Sequence, residues 1–381
     1  MKTSVLRSEP VERISTDIES GQPQDGVALC LSGGGYRAML FHLGSLWRLN
    51  ELGQLPALDR ISSVSGGSIV AGALGLAWSK LDFDAAGVAR AFGPQVVEPV
   101  RKMAGQTIDV PSILMGLLTW RSISDRITAA YRSHLFGAST LQDLPARPRF
   151  IINATSVQSK ALWRFSREYM GDYRVGRIAY PTIQLAVAVT ASSAFPPFLS
   201  PVALKIAGAD YGAGTGLDLQ RAPFTTDVFL TDGGVYDNLG LETAWKRCRT
   251  VLVSDGGGVT ADQAQPERDW ARHSHRILNL LDNQVRDLRK RQLIGSFQDG
   301  ARLGAYWGIR TDISNYGLAD ALPFPHADSL LLAATPTRLA AIEATRQEQI
   351  INWGYAVTDA ALRAHVNPSF PKSTRLPYLN Y

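Results

Sequence analysis

Two stretches in the first eighty residues share one plan, in which a strand runs through a small-residue turn into a helix. The first is 29–53, LCLSGGGYRAMLFHLGSLWRLNELG, and the second is 58–78, LDRISSVSGGSIVAGALGLAW. In each stretch a short apolar run is followed by glycine or serine and then by apolar residues at helical spacing. Two consecutive units of this kind predict parallel strands covered by helices, which is the α/β class.

The length allows one large α/β domain or two ordinary domains, and the lack of an internal repeat or obvious linker in the sequence favours one. The chain has 381 residues, of which 45% are hydrophobic and 19% are charged, and this is a globular composition. Residues 1–25 are polar, so we expect a flexible N-terminal arm. The catalytic domain is expected over 26–335, with a helical insertion and candidate lid at 84–147, and a helical extension packed on the domain over 336–381. Further strands are expected over 149–157, 161–166, 227–232 and 250–257, and further helices near 181–193, 240–247, 262–295 and 336–365.

Charge and cysteine content indicate which partners and which cellular compartment to expect. The chain has 39 basic and 34 acidic residues, a formal charge of +5, which mildly favours anionic surfaces but falls short of a nucleic-acid-binding composition. Cys30 and Cys248 make no disulfide framework, which favours a reducing compartment. The opening residues lack the apolar core of a signal peptide, and no run reaches the roughly 18 apolar residues of a spanning helix. We therefore expect a cytoplasmic protein that reaches a membrane peripherally, at its inner face.

The bend in RISSVSGGSIVAG is a candidate nucleophile elbow, a strained turn that needs small residues two positions before and after the nucleophile. Ser65 has Ser63 before it and Gly67 after it, whereas Ser68 is followed by Val70. Ser65 is also the first residue past the β-branched run, where the bend is expected. We choose Ser65, although serine at 63 departs from the usual glycine. A small-residue turn with an N-capping serine is the plain alternative.

A serine hydroxyl needs a base, and FLTDGGVYDNLG offers one. Asp232 closes an apolar strand, and the two glycines after it let the backbone turn sharply. Asp255 stands in a similar setting in VLVSDGGGV, where we favour an ordinary strand-end turn. Asp237 and Asn238 are candidate caps for the next helix. Because an aspartate in water has a pKa of about 3.9 and is a weak base, such a dyad would depend on strong oxyanion stabilisation.

The glycine turn SGGGYRA admits two interpretations. Gly33, Gly35 and Ala38 satisfy the dinucleotide fingerprint G-x-G-x-x-A, but the second strand lacks the acidic residue that would hold a ribose, and no P-loop motif occurs. The alternative is an oxyanion hole, in which amides at a helix N-terminus, those of Gly34 and Gly35, face developing negative charge. Arg37 then steadies the turn or meets a lipid phosphate, unless it is simply a surface arginine.

Four blocks of the sequence, in order, resemble the patatin-like phospholipase family, relatives of the cytosolic phospholipases A. They are SGGGYR, SVSGGS, TASSAFPPFLSPV and DGGVYDNLG, and they cover about 29–240. The resemblance implies a three-layer α/β/α fold with a mostly parallel central sheet, and hydrolysis of fatty acyl esters of membrane glycerophospholipids without a metal or other cofactor.

The resemblance also implies roles for individual residues. Ser65 would be the nucleophile and Asp232 the base, the amides of Gly33, Gly34 and Gly35 would form the oxyanion hole, and Arg37 and Gly67 would support the site. The partners implied are a phospholipid surface, a cyclic-nucleotide activator and a second copy of the chain, but no nucleic-acid polymer. Some bacterial members resemble antiviral effectors switched on by cyclic oligonucleotides, although no motif here establishes such control.

The sequence also allows other functional interpretations. A Ser-His-Asp carboxylesterase would take its histidine after Asp232, and His326 or His365 would serve. The histidines in RHSHR suggest a metal, but two histidines alone favour a solvated helix face. A nucleotide-binding or inactive lipid-binding module is the non-enzymatic reading. The basic stretch 283–297, NQVRDLRKRQLIGSF, suits an anionic membrane or a partner, with an ordinary charged helix face as the plain reading.

Overall fold

The structure is a computed structural model that describes residues 23–109, 123–197, 199–258 and 262–379. Most of the expected arm, 1–25, lies outside these residues, as does most of the apolar stretch IDVPSILMGLLTW at 108–120. In the described part of the chain no helix is long and apolar enough to span a bilayer.

Helices and strands alternate at the start of the described chain, whereas β3 to β6 follow one another without an intervening helix. Strands β1 to β10 span Gln24–Leu31, Arg60–Ser63, Arg149–Ser156, Leu162–Phe165, Tyr169–Asp172, Gly176–Ala179, Val202–Lys205, Asp227–Asp232, Cys248–Asp255 and Leu303–Gly308. Helices α1 to α10 span Gly35–Glu51, Gly66–Ala77, Glu98–Ala104, Ile123–Tyr131, Leu185–Ser192, Gly234–Asp237, Leu241–Trp245, Trp270–Gln298, His326–Ala333 and Ala344–His365.

The ten strands form one sheet whose centre is parallel. The order β10-β9-β1-β2-β3 is parallel throughout, and β4, β5, β6, β7 and β8 add antiparallel pairs beside β3. Along β1 the side chains alternate between two apolar cores: Leu29 and Leu31 face one, and Ala28 and Cys30 face the other. Helices cover both faces of the sheet, so the expected three-layer α/β/α fold is confirmed.

Two strands meet end to end on one flank of β3, and this arrangement builds the candidate site. Ser63, the last residue of β2, pairs with Ile152, while Asp232, the last residue of β8, pairs with Ala154. Strand β4 occupies the other flank of β3, so β2 and β8 share the same flank and run toward each other. Their carboxyl ends therefore meet, although 169 residues separate Ser63 from Asp232 in sequence.

The first and last helices pack unusually closely. A Cβ atom added at Gly44 of α1 would lie 2.0 Å from the carbonyl oxygen of Ile351, and one added at Gly354 of α10 would lie 2.0 Å from that of Phe41. Only glycine at these two positions allows the helices to approach this closely. Helix α10 thus belongs to the same core as α1.

The expected helix starts near 262 and 336 are wrong. Helix α8 begins at Trp270, because the side chain of Asp269 caps it by accepting a hydrogen bond from the Arg272 amide. Helix α10 begins at Ala344. Residues 334–343 instead form a turn and a series of bends beside the glycine turn, where the Tyr36 amide donates to the carbonyl oxygen of Arg338.

Candidate active site

Ser65 lies in the tight turn between β2 and α2. Its φ of 52° and ψ of −119° are a conformation that residues other than glycine rarely adopt. A Cβ at Gly67 would lie 2.4 Å from the carbonyl oxygen of Leu31, so the turn requires glycine there. The Ser65 amide donates to the hydroxyl of Ser192 at 2.9 Å, which helps to hold the strained turn.

The two neighbouring serines have structural partners. Ser63 donates to the Ile151 carbonyl oxygen at 3.2 Å and accepts from Ser68 at 3.0 Å, so its hydroxyl is accommodated where an elbow usually has glycine. Ser68 is fully buried and is hydrogen-bonded to Ser192 at 2.9 Å. Of the serines in the turn, Ser65 lines the cavity described below.

Asp232 is a buried carboxylate with one oxygen held and one open. Oδ1 accepts from the Gly234 amide at 2.7 Å, while Oδ2 is buried and has no partner of standard hydrogen-bond geometry among the described residues. Burial raises the pKa of Asp232 to about 7, against the opposing effects of the Gly234 amide and of the nearby Ser65 hydroxyl. Ser65 is thus near enough to influence the pKa of this carboxylate. A hydrogen bond of this kind often reaches standard geometry only when substrate binds.

The glycine turn places two free amides beside Ser65. Gly34 has a φ of 145° and Gly35 a φ of 62°, values that favour glycine, and their amides donate to no acceptor in the described part of the chain. A Cβ at Gly33 would lie 3.2 Å from that of Ser65, so the turn and the serine are in contact. The Gly33 amide is already bonded to the carbonyl and side-chain oxygens of Asn238, both at 3.0 Å. Of the three amides expected in the oxyanion hole, that of Gly33 is therefore already hydrogen-bonded, and those of Gly34 and Gly35 remain the candidates.

Arg37 is buried, so the alternative interpretation of it as a surface arginine is wrong. Nε donates to the Gly256 carbonyl oxygen at 3.1 Å and Nη1 donates to that of Thr335, which ties the first turn of α1 to two loops. Nη2 has no partner among the described residues, and a Cβ at Gly34 would lie 2.9 Å from it. Burial and the nearby Arg286 lower the pKa of Arg37 to about 10, so it stays cationic at neutral pH.

A second acid, Asp282 of α8, was missed from the sequence. The Asn238 side-chain amide donates to its two oxygens at 3.2 and 3.4 Å, while Asn238 Oδ1 accepts from Gly33. Burial raises the pKa of Asp282 to about 6, and its negative charge in turn raises the pKa of Asp232. Asp282 therefore both holds the glycine turn through Asn238 and influences the candidate base.

The other acids near the turn have local roles. Asp255 accepts from the Tyr306 hydroxyl at 2.7 Å and from the Gly257 amide at 2.9 Å, as expected of a strand-end turn. Asp237 accepts from the amides of Leu239 and Glu242 at 3.2 and 2.6 Å, the capping role expected of it.

A cavity of about 330 Å³ joins these groups. Gly33, Gly34, Ser65 and Asp232 line it from the sheet edge, and Arg37 lines it from α1. The opposite wall is polar and comes largely from α8, together with the loop before α10; it contains His275, Asn279, Asp282, Asn283, Arg286 and Arg338.

The histidines bear on the Ser-His-Asp alternative. His326 and His365, the candidates named from chain order, do not line this cavity, whereas His275 does. His42 is fully buried and bonded to Ser254 and to the Ser32 carbonyl oxygen, and burial lowers its pKa to about 4. Within the described ranges, no cluster of three or more His, Cys, Asp or Glu side chains is arranged to hold a metal ion.

The family model for patatin-like phospholipases matches residues 29–245. The chain belongs to the patatin-like phospholipase family. This confirms the resemblance drawn from the four sequence blocks and places the chain in a family of ester-hydrolysing enzymes. The match ends before α8, so the far wall of the cavity is built by residues outside it. No curated protein shows significant sequence similarity to the chain.

Solved structures of similar proteins include a human phospholipase and two bacterial proteins of low sequence identity. Human GIVD cytosolic phospholipase A2 in complex with methyl γ-linolenyl fluorophosphonate is 15% identical, over 91% of this chain and 60% of that one, with a TM-score of 0.47. VipD from Legionella pneumophila is 16% identical over 90% of this chain and 67% of that one, with a TM-score of 0.35. The type III effector protein ExoU is 12% identical over 91% and 54%, with a TM-score of 0.34. The chain thus spans about half to two thirds of the length of these proteins.

Proposed function

We propose that this protein is a phospholipase A-type lipid acyl hydrolase that acts through a Ser65–Asp232 dyad. The observation that carries the proposal is the proximity of a serine in a strained turn to a buried carboxylate, which has a pKa of about 7 and one oxygen without a hydrogen-bond partner among the described residues. A pKa near the working pH makes Asp232 a better proton acceptor than an ordinary aspartate while it is still ionised in a large fraction of molecules.

The proposed reaction begins when Asp232 Oδ2 takes the proton of the Ser65 hydroxyl as Oγ attacks the ester carbonyl carbon. The carbonyl oxygen becomes an oxyanion, which the Gly34 and Gly35 amides stabilise at the positive end of α1. Collapse expels the lysophospholipid alkoxide, which takes the proton from Asp232. A water molecule then gives its proton to Asp232 and attacks the acyl-enzyme, and the proton returns to Ser65 as the fatty acid leaves.

Arg37 is the candidate contact for the substrate phosphate. Its guanidinium is buried at the cavity wall and stays cationic, and its Nη2 beside Gly34 has no partner in the part of the chain that the structure describes. A buried, unpaired cationic nitrogen is costly unless an anion completes its hydrogen bonds. A phosphodiester next to the scissile ester would do so, and this favours a glycerophospholipid over a neutral lipid as substrate.

The test is release of fatty acid from phospholipid vesicles. We expect Ser65→Ala and Asp232→Asn to lose activity by at least about three orders of magnitude, with circular dichroism unchanged. Ser68→Ala is the matched serine control and should keep most of the activity. His275→Ala separates the two enzyme classes, since a loss as complete as that of Ser65→Ala would establish a histidine-dependent triad and overturn the dyad.

Two finer expectations belong to the same proposal. A peripheral position on the cytoplasmic membrane face would bring the cavity to its substrate, and control by a cyclic oligonucleotide would make the enzyme a regulated antiviral effector that degrades membranes. Both rest on the family resemblance. Vesicle hydrolysis with and without a panel of cyclic nucleotides tests the second, and equal rates throughout would remove it.

A further inference from the structure

Helix α8 has a broad exposed apolar face. Trp270, Ile277, Leu281 and Leu288 are 83%, 42%, 58% and 59% exposed. They recur at intervals of seven, four and seven residues, so they lie along one side of the helix. The neighbouring Leu278, Leu280 and Val285 are also exposed and widen this side. We call these seven residues the α8 apolar face. A contiguous apolar surface of this kind on a folded protein marks an interaction site.

The other side of α8 forms the polar wall of the candidate active site. His275, Asn279, Asp282 and Arg286 line the cavity and recur at intervals of four, three and four residues. Asn279 precedes Leu281 by two residues, which places them about 160° apart around an ideal helix. The apolar face therefore points away from the cavity, and one helix diameter, roughly 10 Å, would separate a surface bound to it from the cavity.

Charge favours an anionic occupant of this face. Helix α8 has six arginine and lysine residues and two aspartates, and the whole chain has a formal charge of +5. Arg291 is exposed and lies three residues beyond Leu288, on the border of the apolar face. A second copy of the chain would bring like charges together along the helix, which opposes self-association. An apolar stripe with an exposed tryptophan, bordered by Arg291 on a helix of net positive charge, is instead complementary to a membrane containing anionic lipids.

We propose that the α8 apolar face docks this protein on an anionic phospholipid surface. The helix lies flat at the boundary between headgroups and acyl chains, along a stretch of about 27 Å from Trp270 to Leu288. Its polar side stays turned toward Ser65 and Asp232. The proposal rests on the proposed function in that the docked membrane is also the source of substrate, but binding itself requires no catalysis.

The experiment is vesicle flotation in a Ser65→Ala background, which keeps the lipids intact. Phosphatidylglycerol-containing vesicles are compared with pure phosphatidylcholine vesicles. The parent should float with the anionic vesicles, and Ile277→Glu/Leu281→Glu should lower its partition coefficient by at least about ten-fold, since two large apolar side chains no longer enter the interface. Leu217→Glu changes a leucine that is 67% exposed away from α8, and it should bind like the parent.

Unchanged binding in the double variant, or no binding by the parent, would overturn the proposal. It would also be overturned if light scattering showed that the parent is a dimer and the double variant a monomer, because the face would then join two copies of the chain. Hydrolysis of a short soluble ester, measured with Ser65 intact, should be equal in wild type and double variant. Loss of that hydrolysis in both proteins would count against the proposed function alone. Leu281→Gln provides the same comparison if the double variant does not fold.

Discussion

Replacing Asp232 by asparagine should make the unfolding free energy of the protein fall less as the pH rises. The carboxylate is 2% exposed, and burial raises its pKa from an ordinary 3.8 to about 7. Between these two values the folded state holds a proton that the unfolded chain has lost. The contribution of this group to stability is therefore fully present below about pH 4 and is lost as the pH rises through 7.

The magnitude follows from the size of the shift. About three pKa units correspond to up to about 4 kcal/mol. Asparagine cannot ionise, so the variant should escape this loss. Urea unfolding of wild type and Asp232→Asn at pH 4.5 and pH 8 measures the effect as the change in unfolding free energy between the two conditions.

On going from pH 4.5 to pH 8, the unfolding free energy of wild type should fall by a few kcal/mol more than that of Asp232→Asn. Asp282 also titrates in this range, but it does so in both proteins. An identical pH dependence of the unfolding free energy in the two proteins would show that the pKa of Asp232 is not raised. Asp232 would then not be a base whose pKa lies near the working pH.

Three further predictions concern the site and its support. On a soluble ester, kcat/KM should fall about ten-fold per pH unit below pH 7, because the base must be ionised; a flat profile down to pH 5 would contradict this. Asp282→Asn should shift the acidic limb of this pH profile to lower pH, since the charge of Asp282 raises the pKa of Asp232. It should also lower kcat, because the glycine turn is held less firmly through Asn238. An acidic limb at the wild-type pH would show that Asp282 has only a structural role. Gly354→Ala should lower the urea midpoint strongly because its Cβ would meet the Phe41 carbonyl oxygen. Gly93→Ala should not lower it, since its Cβ would have no described atom within 4 Å.

Much of the candidate site could be predicted from the sequence, because its residues directly follow strands and lie within short motifs. The six strands expected from apolar runs are present, and the bend at Ser65 falls where the β-branched run ends. Strands β5, β6 and β10 contain glycine, and β7 is the short run VALK, so none shows a period clear enough to predict a strand.

The remaining features depend on tertiary contacts that no local pattern encodes. That β2 and β8 meet head to head on one flank of β3 follows from pairing across distant parts of the chain. The role of Asp282 was missed because it stands in a charged helix whose pattern does not say which side faces a cavity. The Gly33 amide resembles its neighbours in sequence, and only the packing of Asn238 against it shows that it is already bonded.

The most direct test of the dyad is active-site labelling with an alkyl fluorophosphonate, followed by peptide mass spectrometry. The phosphonyl group should attach to the Ser65 hydroxyl alone. Labelling should be absent in Ser65→Ala, strongly slowed in Asp232→Asn, and retained in Ser68→Ala and His275→Ala. A label on another residue, or labelling of Asp232→Asn at the wild-type rate, would contradict the assignment of Ser65 as a nucleophile activated by Asp232.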